Sequence, residues 1–345
     1  MNRILFLSDD REDYLADSLL HGLISLGSHQ IVDYPKKELL YKKSFKTDQS
    51  NEVYGRGFTL YGLLPERTVD RTLIWKRLES GWFDLVIMGN IWRQFGMMSQ
   101  LFKSMQGVPT RLLILDGDDD SRIYPVSLTR LKEHGIKFQD WQISLKKRCS
   151  YFKRELDEQQ PQDWLEFVLP PKLRPAVRQL FKKRGICPRS CGFAIPAQWI
   201  RQPEPNQKTK LLASHVVDPE VSQHFQCGQL DYAFQSQRAY FNDLAQAHFG
   251  ITTRRAGWDC LRHYEIAAAG TVPCFRHLEQ KPFLCAPHGL DRSNCVIYTS
   301  ADDLNMQLQT MGIDHYMNLL EASHAWVQQH TTVQAAARLL QENAT

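Results

Sequence analysis

The stretch TRRAGWDCLRHYEIAAAGTVPCF, residues 253–275, decides how the second half of this chain is expected to fold. Residues 261, 264, 265 and 268 recur at helical spacing, and three consecutive alanines favour a helix over residues 260–269. Gly270 is expected to end this helix in the left-handed conformation, before a strand over residues 271–275. A helix with a polar first turn beside a strand end is where α/β proteins place ligands, so we expect a ligand site here.

Outward from this stretch, apolar strands alternate with amphipathic helices along both halves of the chain. The predicted strands are 3–8, 30–34, 83–89, 110–116, 148–152, 210–215, 271–275 and 295–298. The predicted helices are 14–26, 69–80, 91–105, 126–134, 235–248, 260–269, 301–311, 316–330 and 333–342. This alternation predicts an α/β fold with doubly wound parallel sheets. A length of 345 residues favours two domains, and the Pro-containing run 201–210 is the best linker candidate.

Composition and charge narrow the classes of partner. The chain is 43% apolar and 23% charged, with a net charge of +4, which is only mildly basic, so nucleic acid is not an expected partner. No signal peptide and no window of about 20 apolar residues is evident, so a cytoplasmic protein is expected, with peripheral membrane contact left open. Eight dispersed cysteines are expected to be reduced, and Cys187 and Cys191 lack two further ligands at zinc-site spacing.

The run RHYEIAAAGTVP, residues 262–273, resembles the donor-binding segment of GT-B glycosyltransferases. The likeness is greatest to the bacterial glycosyltransferase-like group related to spore-coat maturation glycosyltransferases, which residues 13–23, 54–60, 151–156 and 326–331 also resemble. The resemblance implies a GT-B fold, with two Rossmann-like domains facing across a cleft. Residues 1–200 would bind the acceptor, residues 201–330 would bind the donor, and residues 331–345 would form a helix packing back on the first domain.

The same resemblance assigns donor contacts. Glu265 would accept hydrogen bonds from a hydroxyl of the nucleotide ribose or the donor sugar. Arg262 would hold the diphosphate with backbone N–H groups at the helix start. Gly257 stands where the family has a second glutamate, and its missing side chain would instead let the backbone approach a phosphate, with Asp259 as a cap.

Further residues are candidates on chemical grounds. Arg254 and Arg255 would stabilise a departing diphosphate, or are surface arginines. His215 ends the first strand of the second half, either as a phosphate or acceptor contact or as a structural residue.

A catalytic base is expected from the N-terminal half, across the cleft. Asp10 follows the first strand, and Asp13 lies one turn further on. Asp13 is our single candidate for the base that deprotonates the acceptor hydroxyl, with N-capping of the helix as the alternative. Arg56 lies in a Gly-Arg-Gly run that reads as an acceptor loop or as an ordinary loop.

Residues 116–120, DGDDD, follow a predicted strand and admit several interpretations. They are a polar turn, a magnesium site, or an acceptor-recognition segment that includes Asp118.

The sequence therefore predicts a metal-independent glycosyltransferase of bacterial type, with a nucleotide diphosphate sugar as donor substrate and no other cofactor. Its acceptor would be a glycan, a lipid-linked molecule or another hydroxyl compound. The alternatives are a non-catalytic GT-B-like protein that binds a nucleotide or glycan, and a metal-dependent hydrolase centred on residues 116–120.

Overall fold

The structure is a computed structural model that describes residues 1–45, 53, 57–123, 149–161, 166, 169–183, 187–229 and 234–344. Its strands form two sheets in which every pairing is parallel. The first sheet has the order β2-β1-β3-β4-β5-β6, and the second has the order β10-β9-β8-β7. The strands are β1 (Arg3–Leu7), β2 (Gln30–Tyr34), β3 (Leu85–Met88), β4 (Arg111–Asp116), β5 (Cys149–Lys153), β6 (Arg189–Ser190), β7 (Lys210–Leu212), β8 (Ala247–Thr253), β9 (Val272–Arg276) and β10 (Val296–Tyr298).

Helices connect the strands and cover the sheets. They are α1 (Tyr14–Leu26), α2 (Ile74–Glu79), α3 (Ile91–Gln94), α4 (Met98–Ser104), α5 (Arg174–Lys183), α6 (Pro219–Phe225), α7 (Gln237–Ala245), α8 (Leu261–Ala268), α9 (Ala301–Thr310), α10 (Ile313–Gln328) and α11 (Thr332–Ala344). The predicted doubly wound α/β architecture is therefore confirmed. Within the residues described above, no helix is long and apolar enough to cross a membrane.

Each sheet is buried on both faces because its strands are continuous apolar runs. The core on one face of the first sheet joins α1 and α11 to the strands through residues such as Leu19, Leu113 and Ala336. The opposite face packs on α2, α3 and α4. The second sheet lies between two further cores, one of which contains α7 and α8. Burial on both faces explains why these strands show no polar alternation.

Several elements differ from the sequence-based expectation. The helix predicted over 91–105 is two helices, α3 and α4, separated by a 3-10 turn that contains Gly96. The helix predicted over 69–80 begins only at Ile74, because Leu73 has a φ of 50° and cannot continue a right-handed helix. The strand β8 starts at Ala247, inside the helix predicted over 235–248. The helix predicted over 126–134 lies outside the described residues.

The chain passes from the first sheet to the second through residues 191–200 and returns at its end. The helix α11 packs closely on α1, where the backbone of Thr332 fills the space that a side chain at Gly22 would take. His21 Nδ1 lies 3.0 Å from Thr332 Oγ1 in the same interface. Gly22 is thus required by a close approach of two helices, which fixes the C-terminus against the first sheet.

Candidate functional site

The helix α8 is fixed to the second sheet by a buried histidine. His263 places Nδ1 2.8 Å from Thr252 Oγ1 and Nε2 2.9 Å from the carbonyl oxygen of Trp258. Burial lowers the pKa of His263 to about 3, so its imidazole is neutral at physiological pH. His263 therefore positions the turn over residues 257–259 against the end of β8.

Glu265, in the middle of α8, lies at the junction between the two halves of the molecule. Its carboxylate accepts hydrogen bonds from Thr59 Oγ1 at 2.5 Å and from the Tyr240 hydroxyl at 2.9 Å. Thr59 comes from the first half, and its carbonyl oxygen accepts a hydrogen bond from Trp199 Nε1 at 2.6 Å. Burial raises the pKa of Glu265. The hydrogen bonds from Thr59 and Tyr240 and the charge of Arg262 act in the opposite direction. We call this contact the hydroxyl junction.

Thr59 is held in an unfavourable backbone conformation at this junction. Its φ is 80° and the residue is fully buried. A β-branched residue in the left-handed region costs free energy and persists only where the surroundings enforce it. The contact with Glu265 is thus built into the packing of residues 57–61.

A second junction is formed by Glu155, which follows β5 in the first half. Its carboxylate accepts hydrogen bonds from the backbone N–H of Trp258 at 2.9 Å and that of Asp259 at 3.0 Å. Arg154 Nη1 donates to Glu155 at 2.8 Å and to the Asp259 carbonyl oxygen at 2.7 Å, and the same guanidinium pairs with Asp119. Cys285 Sγ lies 3.0 Å from the same carboxylate. We call this contact the ionic junction.

Gly257 is required by the ionic junction. A Cβ atom at this position would lie 2.8 Å from Glu155 Cδ and 2.6 Å from Asp119 Oδ1, and closer still to Glu155 Oε1. Two carboxylates of the first half therefore occupy the space beside the turn. The backbone N–H groups that follow Gly257, which we expected to face a phosphate, donate to Glu155 in this structure.

Asp259 is buried behind the turn and does not cap α8. The residue at the N-cap position is Cys260, and Asp259 instead accepts hydrogen bonds from the Phe193 N–H at 2.7 Å and the Tyr264 hydroxyl at 2.9 Å. Burial raises its pKa to about 6, a shift that Arg154 opposes and the Glu155 carboxylate reinforces. The predicted cap is therefore wrong, because the side chain turns toward the segment that links the two sheets.

The arginines expected at the donor site lie on either side of the turn over residues 257–259. Arg254 and Arg255 are exposed, and the guanidinium of Arg254 lies 5.0 Å from the centre of the Trp258 ring. Arg262 is half-buried in the first turn of α8, close enough to lower the pKa of Glu265. His215 is buried just after β7, in a bridge to Gln229.

The candidate base, Asp13, is the N-cap of α1. Its carboxylate accepts hydrogen bonds from the Ala16 N–H at 3.1 Å and from Asn90 Nδ2 at 2.6 Å, while its own N–H donates to Asp17. This is the capping alternative named above, although the side chain is half-buried and keeps an edge toward Gly117. Asp10 is exposed beyond β1. Arg56 lies outside the described residues.

The acidic run after β4 divides into separate roles. Asp116 is buried in contact with Lys153 at 3.1 Å, the Tyr151 hydroxyl at 2.5 Å and Trp92 Nε1 at 2.9 Å. Asp118 accepts the N–H of Asp120 within the turn, and it is Asp119 that reaches the ionic junction. Among the described residues, no group of three His, Cys, Asp or Glu side chains is arranged to hold a metal ion.

No site role was predicted for Thr59, Arg154 or Glu155, which make both junctions from the first half, although residues 54–60 and 151–156 share in the family resemblance. Arg154 and Glu155 directly follow a buried strand, at the carboxyl edge of a parallel sheet, and that position was the available signal. Thr59 lies between residues 34 and 69, where neither a helix nor a strand was predicted, so no local pattern indicated its contact with Glu265.

Comparison with solved structures identifies the fold. The chain is similar to the Anabaena protein HepE solved in complex with UDP, with a TM-score of 0.50 and 10% identity over 99% of each chain. It is also similar to sucrose-phosphate synthase from Thermosynechococcus elongatus, with a TM-score of 0.48 and 9% identity over 99% of this chain and 98% of that one. A trehalose-6-phosphate synthase has a TM-score of 0.48 and 10% identity over 99% of each chain. No protein-family model and no curated protein matches the sequence.

Two parallel α/β sheets joined at a junction, with a final helix returning to the first, are the GT-B fold. The likeness to the HepE structure, at a TM-score of 0.50, rests on this shared arrangement of two sheets. At about a tenth of residues identical, the likeness establishes the fold, and the chemistry has to be argued from the residues at the junctions.

Proposed function

We propose that this protein is a glycosyltransferase that moves a sugar from a nucleoside diphosphate sugar to a hydroxyl acceptor. The observation that carries the proposal is Glu265, a buried carboxylate at the domain junction whose partners are two hydroxyl groups. A carboxylate that accepts from two hydroxyls is suited to hold a ribose or sugar diol. The HepE structure with UDP supports a uridine nucleotide as the first donor to test.

The roles of the residues follow from their positions. Arg262, near Glu265, and the exposed Arg254 and Arg255 would neutralise the diphosphate as its bond to the sugar breaks. Asp13 would accept the acceptor proton only if it exchanges its capping contacts, whereas Asp119 is the more exposed carboxylate at the ionic junction. Metal independence, a place in the spore-coat-related group and a lipid-linked or glycan acceptor belong to the same proposal.

The test is donor turnover by the full chain. Purified protein is incubated with UDP-glucose and other nucleotide sugars, and UDP release is measured with and without EDTA. We expect UDP release that survives EDTA and falls at least tenfold in Glu265→Gln and in Arg262→Ala. The matched control is Glu321→Gln on the exposed side of α10, which should leave the rate unchanged. Release that is unaffected by both site variants would contradict the proposal.

A second candidate is a non-catalytic binder of nucleotides. It is favoured by the finding that the N–H groups of the 257–259 turn and the Glu265 carboxylate are already engaged by groups of the first half. Isothermal titration with UDP separates the two. Binding that is lost in Arg262→Ala, with no turnover of any donor, would assign the binder.

A further inference from the structure

One segment concentrates the positive charge of the chain. Residues 167–203 contain no Asp or Glu, although the whole protein has a net charge of only +4. The basic residues in this run are Lys172, Arg174, Arg178, Lys182, Lys183, Arg184, Arg189 and Arg201. The run includes α5 and the turn before it, so a single helix brings several of these charges to one region of the first domain.

The helix α5 faces the protein with its polar side. Arg178 Nε and Nη2 donate to the buried carboxylate of Glu166, at 3.1 and 2.7 Å, and the same guanidinium donates to the carbonyl oxygens of Glu158 and Gln160. Residues 176 and 180 lie on the opposite side of a helix from residue 178. Anchoring through Arg178 therefore turns the apolar side of α5 toward solvent.

The outward side of α5 is an apolar stripe. Leu173 in the turn before α5 and Ala176 and Leu180 in the helix recur at helical spacing, and Leu173 and Leu180 are 53% and 47% exposed. In an ordinary surface helix these residues would face the core, so this orientation calls for a partner.

The stripe has an exposed apolar companion in the second half. Glu158, whose carbonyl oxygen binds Arg178, accepts hydrogen bonds from the N–H groups of Phe283 and Leu284 at 3.2 and 3.4 Å. Phe283 is 83% exposed, a larger fraction than for any other large hydrophobic residue in the described part of the chain except Met1. Glu158 thus links α5 to the loop that carries Phe283.

We propose that α5, the turn before it and Phe283 form a docking surface for a membrane rich in anionic lipids. The surface combines exposed leucines with the basic residues of α5 and of the turn before it, and the acid beside them, Glu158, is engaged by the N–H groups of Phe283 and Leu284. An anionic bilayer complements both the leucines and the basic residues. Nucleic acid would complement the charge alone and leaves the apolar stripe without a role. The surface does not depend on the proposed transferase activity, and it would bring an enzyme to an acceptor held at a membrane.

The experiment is co-sedimentation of the full chain with vesicles. One set contains phosphatidylglycerol and phosphatidylcholine, and the other contains phosphatidylcholine alone. We expect binding to the anionic vesicles, weaker at high salt, and at least tenfold weaker for the double variant Leu173→Asp, Leu180→Asp. Lys172→Ala should weaken binding about fivefold, as removal of one basic residue near an anionic surface does.

The matched control replaces two apolar residues elsewhere that are more exposed than these leucines. Met306 and Ile313 are 60% and 70% exposed on the second half, and Met306→Asp, Ile313→Asp should bind as the unaltered chain does. Thermal unfolding checks that both double variants remain folded. We expect both to be folded, because every altered residue is exposed.

Three results would overturn the proposal. The first is absence of binding to anionic vesicles, or equal loss in the control variant. The second is a chain that does not bind vesicles and forms a dimer in gel filtration, where the double variant Leu173→Asp, Leu180→Asp is a monomer. This result would assign the apolar stripe to a contact with a second copy of the chain. The third is binding to an RNA duplex that depends on Lys172 and is indifferent to the leucines, without vesicle binding.

Discussion

Glu155 and Glu265 are two buried glutamates that join the halves of the molecule, and they are satisfied in opposite ways. Glu155 receives a guanidinium, two backbone N–H groups and a thiol. Among the described residues, Glu265 accepts hydrogen bonds from two hydroxyl groups, and Arg262 is close enough to lower its pKa. The ionic junction is therefore a network of charged groups that fix one another, whereas the hydroxyl junction is a carboxylate with neutral partners and a pKa raised by burial.

The difference indicates at which junction a ligand can replace the existing hydrogen-bond partners. Without Glu155, Arg154 loses one of its buried carboxylate partners, and the two N–H groups of the turn lose their acceptor. Both losses lower the free energy of unfolding. At Glu265 the hydroxyl of a sugar would replace one neutral donor with another, at a cost limited to that of the displaced hydroxyl group, whereas at Glu155 a charged group also loses its partner. We infer that the ionic junction shapes the turn over residues 257–259, and that ligand exchange takes place at Glu265.

The largest effect is expected from Glu155→Gln. The amide keeps the volume but presents an NH2 group to donors, so the buried network is broken and the free energy of unfolding should fall by about 3 to 5 kcal/mol. Urea unfolding measures the loss.

Glu158→Gln is the control for this comparison. Glu158 also comes from the first half and accepts two consecutive N–H groups of the second, but it is largely solvated. The free energy of unfolding of Glu158→Gln should fall by less than about 1 kcal/mol. Equal losses in the two variants would mean that burial does not distinguish the ionic junction.

The next effect concerns pH and Asp259. Its pKa is about 6 in the folded protein against an ordinary value of 3.8, so the protonated form is favoured by folding. Its contribution to stability is complete below pH 3.8 and is lost as the pH rises through about 6, a change of about 3 kcal/mol. Asp259→Asn removes this titration.

The measurement is the difference in unfolding free energy between Asp259→Asn and the unaltered chain, taken from pH 4 to pH 7.5. Asp17, whose pKa burial also raises to about 6, titrates in both proteins and cancels in the difference. The unaltered chain should lose stability relative to the variant as pH rises. A difference that stays constant with pH would show that Asp259 is ionised throughout.

Much of the fold was predictable because most strands are buried apolar runs with their own boundary signals, whereas β6 is a half-buried Arg-Ser pair and β8 was not predicted. Gly27 and Gly270 end α1 and α8 with φ of 65° and 74°, as their positions in sequence predicted. The break between α3 and α4 was not predictable, since it depends on a 3-10 turn that tertiary packing selects.

The candidate site was predictable only on one side. The turn and α8 are contiguous in sequence, so their arginines and Glu265 could be named together. Their partners Thr59 and Glu155 lie 206 and about 100 residues away in sequence, and no local pattern specifies such pairs. Gly257 shows the same limit, because the reason for its missing side chain is a carboxylate from the other half.

A smaller effect is expected from Gly257→Ala, which tests the ionic junction from the other side. The added methyl group would lie within 2.8 Å of Glu155 Cδ and 2.6 Å of Asp119 Oδ1, so the turn must move, at a cost of about 1 to 3 kcal/mol. Gly312→Ala is the control, because no atom lies within 4 Å of its added Cβ. In the Glu155→Gln background the cost at position 257 should shrink, and strict additivity would show that the two residues act separately.

The smallest effect on stability is expected at the hydroxyl junction, from Thr59→Val. Valine keeps the β-branched shape at a φ of 80° and removes only the hydroxyl that donates to Glu265. The free energy of unfolding should fall by about 1 kcal/mol, less than in Glu155→Gln, because Tyr240 still donates to the Glu265 carboxylate. Tyr240→Phe is the matched variant that removes the other donor.

If Glu265 exchanges its partners with a ligand, Thr59→Val should bind UDP-glucose more tightly than the unaltered chain, since the ligand no longer competes with the Thr59 hydroxyl. Weaker binding in Thr59→Val would instead show that this hydroxyl helps to shape the site, and the two junctions would then both be structural.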